Sequence, residues 1–287
     1  MEIKTAHFYW GEAKKMPFLN FLSVLTFRDS HPEWEVVLHT SKDSPKEPSW
    51  STHEQRHIYD GKDYLDLCKT YCDRVVSVDF EDWWTRGGCG NMYDNINNIH
   101  DVHKADMLRQ YLLYSVGGLW SDMDVLWLKP IEELGVHGVD ITVVLSSVPT
   151  NGGMLCHSTG VMYSSGNFNT FYNDVLEEIK KTFNSSGYQA AGPGCLNILY
   201  PNMETINSKH GHLKFTTLPY RVFYPYSPCT CTDFFRVGAE DLVGDDVVAA
   251  HWFNGHQEVG KLACYITPDN VREYEGSPFF THVERFL

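Results

Sequence analysis

The chain has 287 residues, of which 43% are hydrophobic and 14% aromatic, and its formal net charge is −14. This composition predicts one domain, 1–287, with a substantial hydrophobic core. The negative charge argues against a nucleic-acid partner, which requires a basic surface, and no apolar run is long enough to span a membrane.

The first residues and the cysteines favour a cytoplasmic protein. Residues 1–11 lack the apolar core of a signal peptide and lead directly into a strand. The eight cysteines form no C-x-x-C pair, which argues against a zinc site and fits reduced thiols. A membrane anchor that has been removed from the chain is the alternative explanation.

Strands and helices alternate through the first 80 residues or so. Strands are predicted over 2–10, 33–39 and 74–80, and helices over 17–28 and 64–71. Such alternation favours a parallel α/β sheet, in which ligands bind beyond the carboxyl ends of the strands. A Ser/Pro-rich loop is expected over 40–52.

The remaining elements are less regular. The polar segment 81–99 suits either a lid over a substrate or an ordinary insertion. A strand is expected over 140–147 and an amphipathic helix over 168–183, while the sequence A-A-G-P-G at 190–194 predicts a tight turn before a short helix. The pattern of 247–253 predicts a last buried strand.

The segment 104–130 carries the strongest chemical signal. A helix is predicted over 102–116, and a double glycine then ends it. A strand predicted over 119–128 is interrupted at Asp122 and Asp124, whose side chains would point the same way in an extended chain. Paired carboxylates of this kind suit Mg²⁺ or Mn²⁺ together with substrate phosphates.

Asp106 and Arg109 lie three residues apart on the predicted helix, and so share one of its faces. They would bind a substrate or, alternatively, form a structural ion pair with each other. The spacing of Ala105, Leu108, Leu112 and Val116 predicts the apolar face.

This segment resembles the sugar-binding region of D-x-D glycosyltransferases, in particular family 32 and its neighbours. The residues that match the pattern are Ala105, Asp106, Arg109, Tyr111, Leu113, Tyr114, Gly117, Gly118, Trp120, Asp122 and Asp124. The opening sequence I-K-T-A-H-F-Y-W-G, at 3–11, also resembles the first strand of that family. The resemblance implies an α/β fold of the GT-A class, a single Rossmann-like mixed sheet flanked by helices, with the acidic pair at the end of a strand.

The resemblance also implies a metal site. Asp122 and Asp124 would bind Mn²⁺ or Mg²⁺, and a histidine from a late strand would complete the ligand set. His251 follows a buried-strand pattern and is the best candidate, with His256 in reserve. A histidine buried in the core with its hydrogen bonds satisfied is the alternative for His251.

Other residues would bind the donor, a nucleotide diphosphate sugar. Asp124, Asp122 and Arg109 are the candidate catalytic residues. The candidate donor-binding residues are His7, Tyr9, Trp10, Asp106, Arg109, Gly118 and Asp122. Of these, Trp10 would stack against the base or simply pack in the core, and Gly118 would let the backbone approach the donor.

The expected reaction is transfer of a hexose to a glycan or other hydroxyl acceptor. UDP-sugars are favoured over GDP-sugars as donors, and family membership implies retention of anomeric configuration. Residues 1–130 would mainly bind the donor, whereas 131–287 would mainly form the acceptor side and supply the late metal ligand.

Two alternatives remain open at this point. A phosphatase of the haloacid-dehalogenase type uses D-x-D-x-[TV], to which the D-M-D-V-L at 122–126 compares, and the acidic pair at 245–246 could serve it. Ser121 interrupts the apolar strand that this motif needs. A non-catalytic sugar-binding protein is the second alternative.

Overall fold

The computed structural model describes residues 3–42, 47–54, 57–82, 99–135, 142–149 and 155–287. Most of the segment 81–99, for which a lid or an insertion was considered, lies outside these ranges. So does the first part of the strand predicted over 140–147. Within the described ranges no helix is both long and apolar enough to cross a membrane.

Among the described residues, seven strands form the main sheet, in the order β3-β2-β1-β4-β7-β6-β8. Their bounds are β1 Thr5–Gly11, β2 Glu35–Ser41, β3 Arg74–Ser77, β4 Gly118–Ser121, β6 Thr142–Pro149, β7 Leu155–Ser164 and β8 Lys214–Pro219. β7 runs antiparallel to both of its neighbours, whereas the other pairings are parallel. The predicted mixed α/β sheet is therefore confirmed.

Helices cover both faces of this sheet. They are α1 Phe18–Ser30, α2 Leu65–Thr70, α3 Asp101–Ser115, α4 Thr170–Thr182, α5 Pro193–Leu199, α6 Met203–His210, α7 Gln257–Tyr265 and α8 Pro278–Val283. One hydrophobic core contains residues of α1, α7 and α8, and the other contains residues of α3, α4 and α5. The two cores lie on opposite faces of the sheet, because successive strand residues alternate between them.

The prediction of one interrupted strand over 119–128 is wrong, because the segment forms two strands that belong to different sheets. The chain turns at 122–124, and β5 (Val125–Trp127) leaves the main sheet to pair antiparallel with β9 (Ala249–His251). The prediction of a single sheet is corrected accordingly, since this second, two-stranded sheet stands beside the first. The turn forms because Met123 packs into the core while both aspartates face a cavity.

Helix α3 is buried on more sides than its apolar spacing indicated. Asp106 and Arg109 are almost completely buried, while Val116, predicted to lie on the apolar face, is 43% exposed. The helix packs against both the sheet and α4, so polar residues on its second face are also covered. Asp106 and Arg109 do form the structural ion pair considered as an alternative, but the pair is buried.

Most other predicted elements are found within a few residues of their expected bounds. The predicted strand 74–80 ends at Ser77, and Phe80 instead packs in the core that contains α3. The predicted strand 247–253 shortens to β9. Strands β7 and β8 and helices α6, α7 and α8 were not predicted.

Candidate active site

A cavity of about 490 Å³ opens at the carboxyl ends of β1 and β4. Both halves of the chain contribute to its wall. The residues that line it include Tyr9, Trp10, Asn20, Asp106, Arg109, Asp122, Asp124, Thr159, Gly160, His251, Asn254 and His256. The cavity lies where ligands bind in open α/β sheets.

The turn at 122–124 follows β4 directly. The backbone N–H of Asp122 donates to the carbonyl of Gly160 at 2.7 Å, which extends the pairing of β4 with β7 by one residue. Trp252 N–H donates to the Asp124 carbonyl at 3.0 Å, and Asn254 N–H donates to Asp124 Oδ2 at 2.7 Å. Backbone groups of β7 and of the segment after β9 therefore hold the turn, and one of them binds the Asp124 carboxylate directly.

Strand pairing brings His251 to this turn. In the register of β5 with β9, His251 stands opposite Val125, the residue after Asp124. Its Nε2 lies 3.2 Å from Asp124 Oδ1. Asp122, Asp124 and His251 each offer one ligand atom, and these atoms lie within 4.8 Å of one another. Residues separated by some 130 positions thus form one cluster, as the sequence predicted.

The charges of this cluster are unequal. Burial raises the pKa of Asp122, against the opposing effect of Arg109, and the neighbouring Asp124 carboxylate raises it further. Burial alone would also raise the pKa of Asp124, but His251 and the Asn254 N–H lower it below its usual range. The same ion pair raises the pKa of His251 in spite of burial. The Asp124 carboxylate is therefore favoured as the anion, and it faces Nε2 of His251.

The cluster fits a divalent cation by its donor set, which is two carboxylate oxygens and an imidazole nitrogen. Nδ1 of His251 accepts a hydrogen bond from the Phe253 N–H at 3.1 Å, so the ring proton lies on Nε2 and faces Asp124. A cation here would neutralise these carboxylates, and Nε2 of His251 would bind it once the ring proton had moved to Nδ1, with loss of the hydrogen bond from the Phe253 N–H. His256 also lines the cavity, but it is not one of the clustered groups.

Arg109 forms the buried floor beside the cluster. Its guanidinium donates to the Thr159 carbonyl and to Asp106, and it lies 3.5 Å from Asp122 and over the ring of Trp120. Burial raises the pKa of Asp106 to about 7, despite Arg109, with a further contribution from Asp122. The Arg109 guanidinium thus lies beside two carboxyl groups, Asp106 and Asp122, and does not neutralise both of them.

The end of β1 forms the opposite wall. The Tyr9 hydroxyl shares a hydrogen bond with Ser41 Oγ at 2.7 Å and donates to Asp101 at 2.8 Å, while Trp10 Nε1 donates to the Lys14 carbonyl at 2.9 Å. Both rings border the cavity. The structure therefore places the predicted Tyr9 and Trp10 where a donor could reach them.

His7 and Gly118 do not border the cavity. The His7 ring donates from Nε2 to the Gly117 carbonyl at 3.0 Å and accepts from His39 at 3.1 Å, deep within the sheet. A Cβ on Gly118, whose φ is +96°, would lie 2.4 Å from the Thr5 carbonyl oxygen. Gly118 thus serves the close approach of β4 to β1, and its predicted role in approaching the donor is corrected.

Several residues at the site gave no signal in the sequence. Gly160 is needed because a Cβ there would lie 2.8 Å from His251 Cδ2 and 2.9 Å from the Tyr224 hydroxyl. Thr159 and Asn254 contribute only backbone atoms to the contacts described above, and backbone contacts leave no mark on residue type. Asn20, on α1, could have been noticed because Asn20, Ser23 and Thr26 recur three residues apart as polar positions in a largely apolar helix.

Two protein-family models match the chain. One, described as "Glycosyltransferase sugar-binding region containing DXD motif", matches residues 21–139. The other, described as "Alpha 1,4-glycosyltransferase conserved region", matches residues 165–266. The first range contains the acidic turn and the second contains His251. No curated protein matches the chain.

Solved glycosyltransferases also resemble the chain at low identity. PaToxG glycosyltransferase is 13% identical, with a TM-score of 0.45 over 72% of this chain and 74% of its own. The galactosyltransferase LgtC, solved with donor and acceptor sugar analogues, is 12% identical, with a TM-score of 0.43 over 94% and 99%. GlyE from Streptococcus pneumoniae TIGR4 is 11% identical, with a TM-score of 0.45 over 95% and 63%.

These structural likenesses are too distant to add to the assignment, which rests on the family models and on the motif. The models support neither a phosphatase nor a non-catalytic sugar-binding protein. Membership of family 32 in particular stays a prediction. The mixed α/β fold, the acidic turn at the end of β4 and the two matched regions together support a glycosyltransferase of the D-x-D type.

Proposed function

We propose that the protein is a metal-dependent hexosyltransferase that moves a sugar from a nucleotide diphosphate sugar to a hydroxyl group of a glycan. The observation that carries this proposal is the convergence of Asp122, Asp124 and His251 on one wall of the cavity. A net charge of −14 would repel an anionic donor, so a local cation is needed to bind its diphosphate.

Asp124 and His251 would hold Mn²⁺ or Mg²⁺ directly, and Asp122 would do so directly or through water. When bound, the cation supplies Lewis-acid stabilisation of the diphosphate leaving group. Arg109 holds Asp106 and Asp122 in place, and its contribution is to balance their charge. This arrangement keeps the carboxylates close together before any donor arrives.

The donor would lie between the cluster and the end of β1. The rings of Tyr9 and Trp10 would border the nucleoside, and the Asp106 carboxyl, with a pKa of about 7, would accept a hydrogen bond from a sugar hydroxyl. The preference for UDP over GDP rests on the sequence resemblance alone. Residues 1–130 would mainly bind this donor, while the wall from 157 to 256 would face the acceptor and supply His251.

Retention of configuration is proposed on the second family model. That family is described by α-1,4 transfer, and an α-linked product formed from an α-linked nucleotide sugar requires net retention. Among the residues that border the cavity, none is proposed here as a covalent nucleophile.

A panel of UDP- and GDP-sugars, each incubated with Mn²⁺, Mg²⁺ or EDTA, tests the proposal. We expect slow hydrolysis of a UDP-sugar with Mn²⁺ and none with EDTA, and the anomer first released, followed by proton NMR, reports on retention. Release of phosphate from simple monoesters, or hydrolysis that EDTA leaves intact, would contradict the proposed metal-dependent transfer.

A further inference from the structure

Helix α1 presents a buried polar stripe to the backbone that follows the acidic turn. The stripe consists of residues three apart on the helix, and each contacts an alternate residue of the segment 123–127. The hydrogen bonds are Asn20 Nδ2 to the Met123 carbonyl at 2.7 Å, Val125 N–H to Ser23 Oγ at 3.2 Å and Trp127 N–H to Thr26 Oγ1 at 3.0 Å. The helix thus satisfies the edge of β5 that faces away from β9.

Asn20 differs from the other two residues of the stripe. It borders the cavity, whereas Ser23 and Thr26 are fully buried and do not. Its side chain is 2% exposed, and its Oδ1 has no hydrogen-bond partner among the described residues. A buried acceptor without a donor costs about 1–3 kcal/mol, so its retention at a cavity wall suggests that a ligand supplies the donor.

The carbonyl that Asn20 holds belongs to the residue between the two candidate metal ligands. On one side of the turn, the Asp122 N–H donates to the Gly160 carbonyl. On the other side, the Asp124 carbonyl accepts from the Trp252 N–H. Asn20 holds the middle of the turn. Rotation of that middle peptide would move both carboxylates away from His251.

We propose that Asn20 is a positioning residue for the acidic turn, and that its Oδ1 accepts a hydrogen bond from a water or hydroxyl group of the bound cation and donor. The amide group fixes the Met123 carbonyl, and through it the direction of Asp122 and Asp124. This inference rests on the proposed function, because it assigns Asn20 to the same metal-and-donor site.

Two Asn20 variants test this role against a matched control on the same stripe. Asn20→Leu removes both hydrogen bonds with little change in volume, and Asn20→Ser is a milder change whose hydroxyl is too short to reach Met123. Thr26→Val is the control, because it removes a buried hydrogen bond to β5 that lies away from the cavity. The measurements are Tm, the Kd for Mn²⁺ by electron paramagnetic resonance, and kcat and KM for UDP-sugar hydrolysis.

We expect both Asn20 variants to weaken Mn²⁺ binding by about 10–100-fold, as loss of a group that orients metal ligands does, and to lower kcat more than they raise KM. Thr26→Val should lower Tm by a similar amount and leave the Kd for Mn²⁺ and kcat as in the wild type. If Asn20→Leu fails to fold, the Kd for Mn²⁺ and the kcat of Asn20→Ser, compared with those of Thr26→Val, test the role of Asn20.

Equal Mn²⁺ affinity and kcat in the Asn20 and Thr26 variants would overturn the role of Asn20 while leaving the proposed metal site intact. A wild-type protein that binds no Mn²⁺ would instead refute the metal site. In that case the affinity for UDP, measured by calorimetry without metal, tests whether Asn20 contacts the donor. A loss of affinity confined to the Asn20 variants would support this contact. Equal affinities in the Asn20 and Thr26 variants would overturn it.

Discussion

Two groups of buried histidines in this protein have opposite electrostatic surroundings. At the cavity, the carboxylate of Asp124 raises the pKa of His251 despite burial. Within the sheet, burial lowers the pKa of His7 to about 4 and that of His39 to about 3. One imidazole is thus kept beside negative charge at a cavity, and the other two stay neutral and hydrogen-bonded to each other.

The difference separates the histidine that we propose as a metal ligand from two histidines that are hydrogen-bonded within the sheet. His7 and His251 both lie on strands and are both almost fully buried. Only the local partners differ: His7 faces a backbone carbonyl and another imidazole, whereas His251 faces carboxylates that repel each other. Excess negative charge beside a cavity is what calls for a cation.

The most damaging change to the acidic cluster should be Asp124→Asn. The substitution keeps the shape and the acceptor for Asn254 N–H but removes the charge that pairs with His251. We expect UDP-sugar hydrolysis to fall roughly 1,000-fold, since metal stabilisation of the leaving group is worth several kcal/mol. Asp29→Asn, which breaks an exposed ion pair with Arg285, is the control. An equal loss of hydrolysis in both variants would show that Asp124 matters no more than an exposed carboxylate.

The next largest effect is expected for Arg109→Ala. Removing the guanidinium leaves the buried carboxyl of Asp106 without its cation, and breaking a buried pair in this way costs about 3–5 kcal/mol. Denaturant unfolding should show that loss. Adding Asp106→Asn to the same chain should recover part of it, and a double variant no more stable than the single one would contradict the pairing.

The structural histidines predict a pH dependence of stability. Because the folded pKa values of about 4 and 3 lie below the ordinary value of 6.5, the unfolded chain binds more protons below pH 6.5. Stability should therefore fall as the pH drops from 6.5 towards 4, by up to about 1.4 kcal/mol per pH unit for each histidine.

His39→Gln sharpens this prediction, because glutamine can still donate to His7 but does not titrate. The slope of unfolding free energy against pH should be smaller in His39→Gln than in the wild type, and unchanged in the variant His53→Gln at an exposed position. Equal slopes in all three proteins would mean that the His7–His39 pair is not neutral when folded.

The smallest effect is expected for Gly160→Ala. Its Cβ would lie 2.8 Å from His251 Cδ2, so the imidazole must shift, and we expect Mn²⁺ binding to weaken about tenfold. Gly187→Ala is the control, because its Cβ would meet its nearest neighbour at 3.6 Å. Unchanged Mn²⁺ affinity in Gly160→Ala would show that the position of His251 does not matter.

The sequence predicted the chemistry of the site better than its architecture. Asp122 and Asp124 could be identified because two carboxylates at the end of a predicted strand are a local signal, whereas His251 was chosen through the family resemblance. The turn at 122–124 could not, because it depends on Met123 packing into a core built largely by distant residues. The burial of Asp106 and Arg109 likewise depends on residues from much later in the chain, because Arg109 donates to the Thr159 carbonyl and Asp106 lies against Gly192.

The assignment of His7 to the donor site was also wrong because the local sequence does not show which distant residues surround it. Its position in β1, two residues before Tyr9, suggested a shared role at the donor. The two side chains do share a face, but the residues of β1 nearer its carboxyl end reach the cavity, while His7 lies under Gly117. The neighbouring strand β4 covers His7, so the cavity begins only beyond it along β1. The local sequence of β1 does not specify the position of β4.

Anomalous diffraction at the manganese edge, from crystals soaked with Mn²⁺ and UDP, would locate the proposed cation. We expect one peak within about 2.5 Å of carboxylate oxygens of Asp122 or Asp124 and of Nε2 of His251, with the diphosphate on its open side. A peak elsewhere in the cavity, or UDP bound with no manganese beside these residues, would contradict the proposed metal site.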